Sequence, residues 1–68
     1  MALQKPEFEI YIDRDGQYRW RLRAKNGEIV AASESYPRHQ QAVNSAYRVK
    51  EISSEAIVTT VVPKDRQN

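Results

Sequence analysis

Read for the spacing of its apolar residues, the chain divides into three alternating stretches, one stretch of helical period and one unbroken apolar run. Phe8-Glu9-Ile10-Tyr11-Ile12 alternates with period two, as a half-buried strand does. Asp13-Arg14-Asp15-Gly16 then gives a turn signal, and Tyr18, Trp20, Leu22 and Ala24 alternate with Arg19, Arg21 and Arg23. The second strand therefore carries one apolar face and one face of three arginines. Asn26-Gly27 marks a tight hairpin, because both residues tolerate the positive φ of a two-residue type I′ turn. A third strand is expected over residues 28–34.

These turns set the pairing. A two-residue Asn26-Gly27 turn places Ala24 opposite Ile29, Leu22 opposite Ala31, Trp20 opposite Ser33 and Arg19 opposite Glu34. The first turn has two solutions, Asp15-Gly16 alone or Arg14-Asp15-Gly16 with Gly16 left-handed in a bulge. The shorter one sets Ile12 against Arg19. The longer one pairs Ile12 with Tyr18, Ile10 with Trp20 and Phe8 with Leu22, and is preferred because a one-residue slip moves a whole strand to the wrong face. It also sets Tyr11 beside Arg19, Glu9 beside Arg21 and Glu7 beside Arg23, a ladder of opposite charges worth roughly 0.2–1 kcal/mol per pair.

Tyr36-Pro37 ends the meander. Pro37 suits a first helical turn, with Ser35 or Tyr36 as the cap. Over residues 38–53, Ala42, Val43, Ala46, Val49 and Ile52 recur at spacings of three and four, while Arg38, Gln41, Ser45 and Arg48 lie outside that stripe. The pattern predicts an amphipathic helix whose alanines allow close approach to Phe8, Ile10, Tyr18, Trp20 and Leu22. After Ser53-Ser54-Glu55 come Ile57, Val58, Thr59, Thr60, Val61 and Val62, six β-branched residues that predict a fourth strand. Its apolar residues point to both faces, so it needs cover on both sides or another chain. Residues 1–6 read as an N-terminal arm, 7–62 as one domain and 63–68 as a polar tail.

Composition sharpens this picture. At 68 residues and 7.9 kDa, one small core buries only about 60% of the surface of the unfolded chain and rarely supplies more than about 3–5 kcal/mol. With no cysteine and a single histidine, disulfides and a structural zinc site are removed as supports, which leaves association with another subunit. The N-terminal residues lack the apolar run of a signal peptide, and no stretch reaches the roughly 18 apolar residues of a membrane span. A cytoplasmic location is expected. Eleven basic and nine acidic residues leave a net charge of only +2.

Phe8-Glu9-Ile10-Tyr11, Gly16-Gln17-Tyr18-Arg19-Trp20-Arg21-Leu22, Ala24-Lys25-Asn26-Gly27-Glu28-Ile29-Val30-Ala31 and Ser33-Glu34-Ser35-Tyr36 resemble the YegP-like family, also called DUF1508 or UPF0339. Ala42, Asn44, Val49 and Lys50 continue the likeness through the helix, so that it spans residues 7–52. Some members of the family carry two tandem copies of the unit, packed about a pseudo-twofold axis. For a single copy the resemblance implies a homodimer of the same arrangement. It brings no activity and no catalytic residues.

Few residues carry candidate chemistry. Tyr11, Arg19, Arg21 and Arg23 form a candidate interaction face, in which cations would track phosphates and the aromatic ring would stack a base of single-stranded nucleic acid. Glu7, Glu9 and Glu34 lie across from these arginines, and so small a net charge is unlike that of dedicated binders; nucleic acid is therefore disfavoured as a partner. Tyr18 and Trp20 are in phase with Ile10 and Leu22, which makes them core residues with polar tips to satisfy. His39 has no nucleophile or acid at a recognisable spacing and reads as solvated. Asp13 and Asp15 lack the further ligands of a calcium loop. Asn44, near the apolar stripe, is expected to bond the backbone of the sheet or of the helix–sheet connection, and Gly16, Trp20, Asn26, Gly27 and Asn44 are the structural positions.

The expected fold is α+β: a three-stranded antiparallel meander, one helix on its apolar face, then a fourth strand (β-β-β-α-β), assembled as a twofold dimer. The expected function is that of a small non-enzymatic structural or interaction domain, with no catalytic residue, cofactor or metal and no membrane association. The candidate dimer strand is residues 57–62. Two alternatives belong to other classes: weak single-stranded nucleic-acid binding on the arginine face, and a small-ligand or enzymatic site at the dimer seam.

Overall fold

The computed structural model describes residues 2–63, so that of the expected polar tail only Pro63 falls within it. Strands β1 (Glu7–Ile12), β2 (Tyr18–Arg23) and β3 (Ile29–Ala32) precede one helix, α1 (His39–Ser53). The strands form an antiparallel sheet in the order β1-β2-β3, with β2 in the centre.

Both hairpins turn on a left-handed glycine. Gly16 has φ 75°, its N–H donates to the Asp13 carbonyl at 3.1 Å, and the Asp13 N–H donates to the Gln17 carbonyl at 2.8 Å. This is the longer of the two expected turns, and it sets the predicted register: Ile12 opposite Tyr18, Ile10 opposite Trp20, Phe8 opposite Leu22. Asp13 Oδ1 also accepts from the Asp15 and Gln17 N–H groups at 2.9 and 3.0 Å, which fixes the loop.

The second turn differs from the expected two-residue form. Among the described residues only glycines have positive φ, so Asn26 cannot take its place in a type I′ turn. Instead Gly27 alone is left-handed, at φ 91°, and the Ala24 N–H donates to the Glu28 carbonyl at 2.8 Å. Asn26 contributes through its side chain, whose Oδ1 accepts from the Glu28 N–H at 3.0 Å. The longer loop moves Ile29 from Ala24 to Arg23 and hence to the arginine face, and a bulge between Leu22 and Arg23 then restores Leu22 to Ala31. Beyond it the Ser33 N–H reaches the Trp20 carbonyl at 2.9 Å, as the predicted pairing requires. The bulge removes a one-residue slip that would have turned β3 over.

Tyr36 and Tyr18 exchange two backbone hydrogen bonds of 2.7 Å. This bridge holds Tyr36 in the sheet, so the helix starts later than the expected cap at Ser35 or Tyr36. Pro37 precedes the helix, Arg38 is the N-cap with extended backbone, and Gln41 Oε1 accepts from the Arg38 N–H at 3.1 Å.

The core is narrow. Trp20, Ala42 and Ala46 are its buried residues, at 5%, 0% and 6% exposure. Phe8 meets the Trp20 ring edge-on with centroids 5.1 Å apart. Phe8, Ile10, Tyr18, Leu22, Val43 and Val49 are only half-buried, and Ile52, expected in the apolar stripe, is exposed.

The expected fourth strand does not form within the chain. Residues 57–62 have no regular structure and are exposed, Ile57 by 84% and Val58 by 102%. A β-branched run has local preference for extended backbone, but a strand exists only by pairing, and the sheet ends at β3 on one side and at β1 on the other. No helix among the described residues is long and apolar enough to cross a membrane.

Candidate functional site

Alternation along β2 sends Arg19, Arg21 and Arg23 away from the helix, and the β1 register brings Glu9 and Tyr11 to the same face. The ion pairs there are more concentrated than the expected one-to-one ladder. Glu9 Oε1 accepts from both Arg21 Nε and Arg23 Nε at 2.8 Å. Arg23 reaches on to the Gly27 carbonyl at 2.7 Å, which ties the arginine face to the second turn. Arg19 leans to Asp13, Nε to Oδ2 at 3.4 Å. Glu7 and Glu34, expected opposite Arg23 and Arg19, make no ion pair among the described residues. Glu7 is an exposed residue at the start of β1, whereas Glu9 sits between two guanidinium groups.

Tyr11, aligned with Arg19 in the ladder, lies instead beneath the Arg21 guanidinium, 4.6 Å from the ring centroid. Arg21 is thus held between a ring and a carboxylate. The two hydrogen bonds, first from Arg21 and then from Arg23, hold the Glu9 carboxyl below its ordinary value of 4.5. The structure therefore gathers Tyr11, Arg19, Arg21 and Arg23 on one face, with much of the charge already answered by Glu9 and Asp13.

On the opposite face the polar tips meet at Ser45. Trp20 Nε1 donates to Ser45 Oγ at 2.9 Å, and the Tyr36 hydroxyl lies at 2.9 Å from the same oxygen. The spacing of the helix placed Ser45 outside the apolar stripe because the residue is polar, yet it lies three positions after Ala42 and one before Ala46, next to both buried alanines. A serine in that position, with a tryptophan below, was the available signal. Asn44 takes the opposite course from the expected one: it is exposed, and its Oδ1 accepts from Gln40 Nε2 at 2.8 Å, one turn back along the helix. Two hundred degrees of helical rotation separate it from Ala42, about the opposite side of the cylinder. His39 is exposed and meets the Tyr18 ring edge-on at 5.5 Å.

Two hollows flank the helix. On the β1 side an apolar groove of about 460 Å³ is lined by Phe8, Ile10, Leu22, Val43, Ala46 and Tyr47. On the other side a more open depression of about 930 Å³ is lined by Tyr36, Gln41, Asn44, Arg48 and Glu51 among others. Among the described residues no three His, Cys, Asp or Glu side chains come together as a metal-binding group.

An antiparallel three-stranded meander with one helix across a single face defines the class as a small two-layer α+β domain. Its sequence then places it: residues 13–59 match the model of the domain of unknown function DUF1508, and the chain belongs to that family, whose curated members are the UPF0339 proteins. A UPF0339 protein of Methanosarcina acetivorans is 42% identical over 50 residues, 74% of this chain and 86% of that one. Another, from Acinetobacter baylyi, is 44% identical over 48 residues, 71% of this chain but 43% of that protein. The solution structure of a protein from Haloferax volcanii has the same fold with a TM-score of 0.74 and 35% identity, covering 87% of this chain and all of that one.

Proposed function

We propose that this chain is a small non-enzymatic structural or interaction domain that acts as a homodimer, with residues 57–62 as the segment that joins the copies. The observation that carries this reading is the uncovered β-branched run: four aliphatic residues among six stand in water after a well-formed helix. An exposed run of this kind invites pairing with another chain. The Acinetobacter baylyi relative is more than twice as long as the stretch it shares with this chain, which leaves room for a second copy of the unit.

A cytoplasmic location goes with this reading. Nucleic acid fits less well, because Glu9 and Asp13 already engage the arginines that would meet phosphate. Sedimentation equilibrium at micromolar concentration tests the proposal: a mass of two chains is expected, and a stable, soluble monomer would overturn it.

A further inference from the structure

The two hairpins are closed by loops of the same build. In each, a left-handed glycine donates its N–H to the carbonyl three residues back, Gly16 to Asp13 at 3.1 Å and Gly27 to Ala24 at 2.8 Å. The residue before the glycine is Asp15 in the first loop and Asn26 in the second. A carboxylate therefore fits this loop position as well as an amide does.

The amide of Asn26 is chemically the less durable of the two. It is exposed, and its Nδ2 makes no hydrogen bond among the described residues. Its Oδ1 accepts from the Glu28 N–H at 3.0 Å, which draws electrons from the side-chain carbonyl carbon. The next nitrogen belongs to a glycine, with no side chain to hinder its approach to that carbon. What restrains this nitrogen is its bond to the Ala24 carbonyl and, beyond it, a short β3 of four exposed residues that pairs with β2 at three positions across a bulge. Segments with so few buried contacts open locally at far less than the cost of global unfolding.

We infer that Asn26 is a covalent modification site, deamidated when the second hairpin opens. On opening, Gly27 N gives up its proton and forms a bond to Asn26 Cγ, while the Cγ–Nδ2 bond breaks and ammonia leaves. Water then opens the cyclic imide at either carbonyl, giving aspartate or isoaspartate, with no change in oxidation state. The aspartyl product matches Asp15 and keeps the loop. The isoaspartyl product routes the main chain through the former side chain and lengthens it by one carbon, which displaces the Gly27 carbonyl from Arg23 Nη1, its donor at 2.7 Å. Either product takes one unit from the net charge of +2. The modification thus loosens one end of the arginine face, and it does so in a single chain as in a dimer.

The test is incubation of the folded chain in warm, mildly alkaline buffer, followed by peptide mapping with mass spectrometry and labelling by an isoaspartyl methyltransferase. Acid is expected to accumulate at Asn26, while Asn44, inside the helix, stays an amide. In urea the rate should rise about tenfold or more, since nothing then holds the Gly27 nitrogen. Ser33→Ala removes the hydroxyl that accepts from the Trp20 N–H at 2.9 Å across the second hairpin; it should hasten the reaction severalfold in the folded chain and leave the rate in urea unchanged. The isolated isoaspartyl form should unfold at lower urea than Asn26→Asp, which carries the same charge on a main chain of normal length. An Asn26 that stays an amide in the folded chain after the chain in urea has been converted overturns the inference. Equal rates in the two conditions, or no effect of Ser33→Ala, overturn the gating by the hairpin, and equal stability of the two acidic forms overturns the loosening of the arginine face.

Discussion

The two faces of β2 are built from alternate residues of one six-residue strand, yet they are held by different physics. Toward the helix, Trp20 is buried, edged by Phe8 and bonded to Ser45. Toward the outside, Arg21 and Arg23 share the single carboxylate of Glu9. Burial of apolar surface is non-directional, so the first face tolerates any partner of suitable volume. Charge-assisted hydrogen bonds are directional and local, so the second face depends on which carboxylate lies within reach. The apolar face should therefore dominate stability, with the charged face a smaller and pH-dependent addition.

The largest expected effect breaks the apolar face. Trp20→Ala removes the one bulky residue that is buried among the described residues, at a cost of about 3–5 kcal/mol. That equals the whole net stability of a core this small, so circular dichroism should show a largely unfolded chain at room temperature. A folded variant with a sharp thermal transition would mean that the stability resides elsewhere.

Ser45→Ala sharpens the same comparison by keeping the packing and removing the polar link. It leaves Trp20 Nε1 and the Tyr36 hydroxyl without their shared partner, and urea titration followed by tryptophan fluorescence should show a loss of about 1–3 kcal/mol. An unchanged midpoint would show that water replaces the serine at no cost.

The smallest effect is expected on the charged face. Glu9→Gln deprives Arg21 and Arg23 of their common partner, but both arginines and Glu9 remain partly solvated, so the loss should fall below that of Ser45→Ala. Its signature is in the pH dependence. Because the folded state holds the Glu9 carboxyl below its ordinary value of 4.5, the stabilisation is present above that value and lost as pH falls through the lowered folded one. The difference in stability between wild type and variant should thus shrink on acidification below pH 4.5. A difference independent of pH would assign the role of Glu9 to packing rather than charge.

The same division governs how far the amino-acid order could be read. The β1–β2 register followed from Gly16 and the period-two apolar residues, because only one turn length kept Phe8, Ile10 and Ile12 with Leu22, Trp20 and Tyr18. At the second hairpin the same reasoning chose too short a loop: Asn26-Gly27 has the composition of a type I′ turn, but Asn26 does not adopt positive φ, and the bulge near Val30 corrects the register afterwards. For the candidate face, alternation was enough to collect Tyr11, Arg19, Arg21 and Arg23. It did not show that Glu9 would take two arginines and Glu7 none, since long side chains reach diagonal as well as opposite neighbours. Asn44 and Ser45 exchanged their expected roles for a related reason: adjacent helical positions differ by about 100° in direction, and only the placement of Trp20 decides which of two polar residues meets the sheet.

By itself the amino-acid order determined the elements and their apolar faces, since periodicity and left-handed glycines act over a few residues, and it carried the family likeness in the same stretches. Only the tertiary structure decided the bulge that re-registers β3, the sharing of Glu9, the meeting of Trp20 and Tyr36 at Ser45, and the absence of cover over residues 57–62. Each of these depends on which groups lie within a few ångströms across elements distant in the chain, and the directions and reach of side chains settle that only once the helix lies on the sheet.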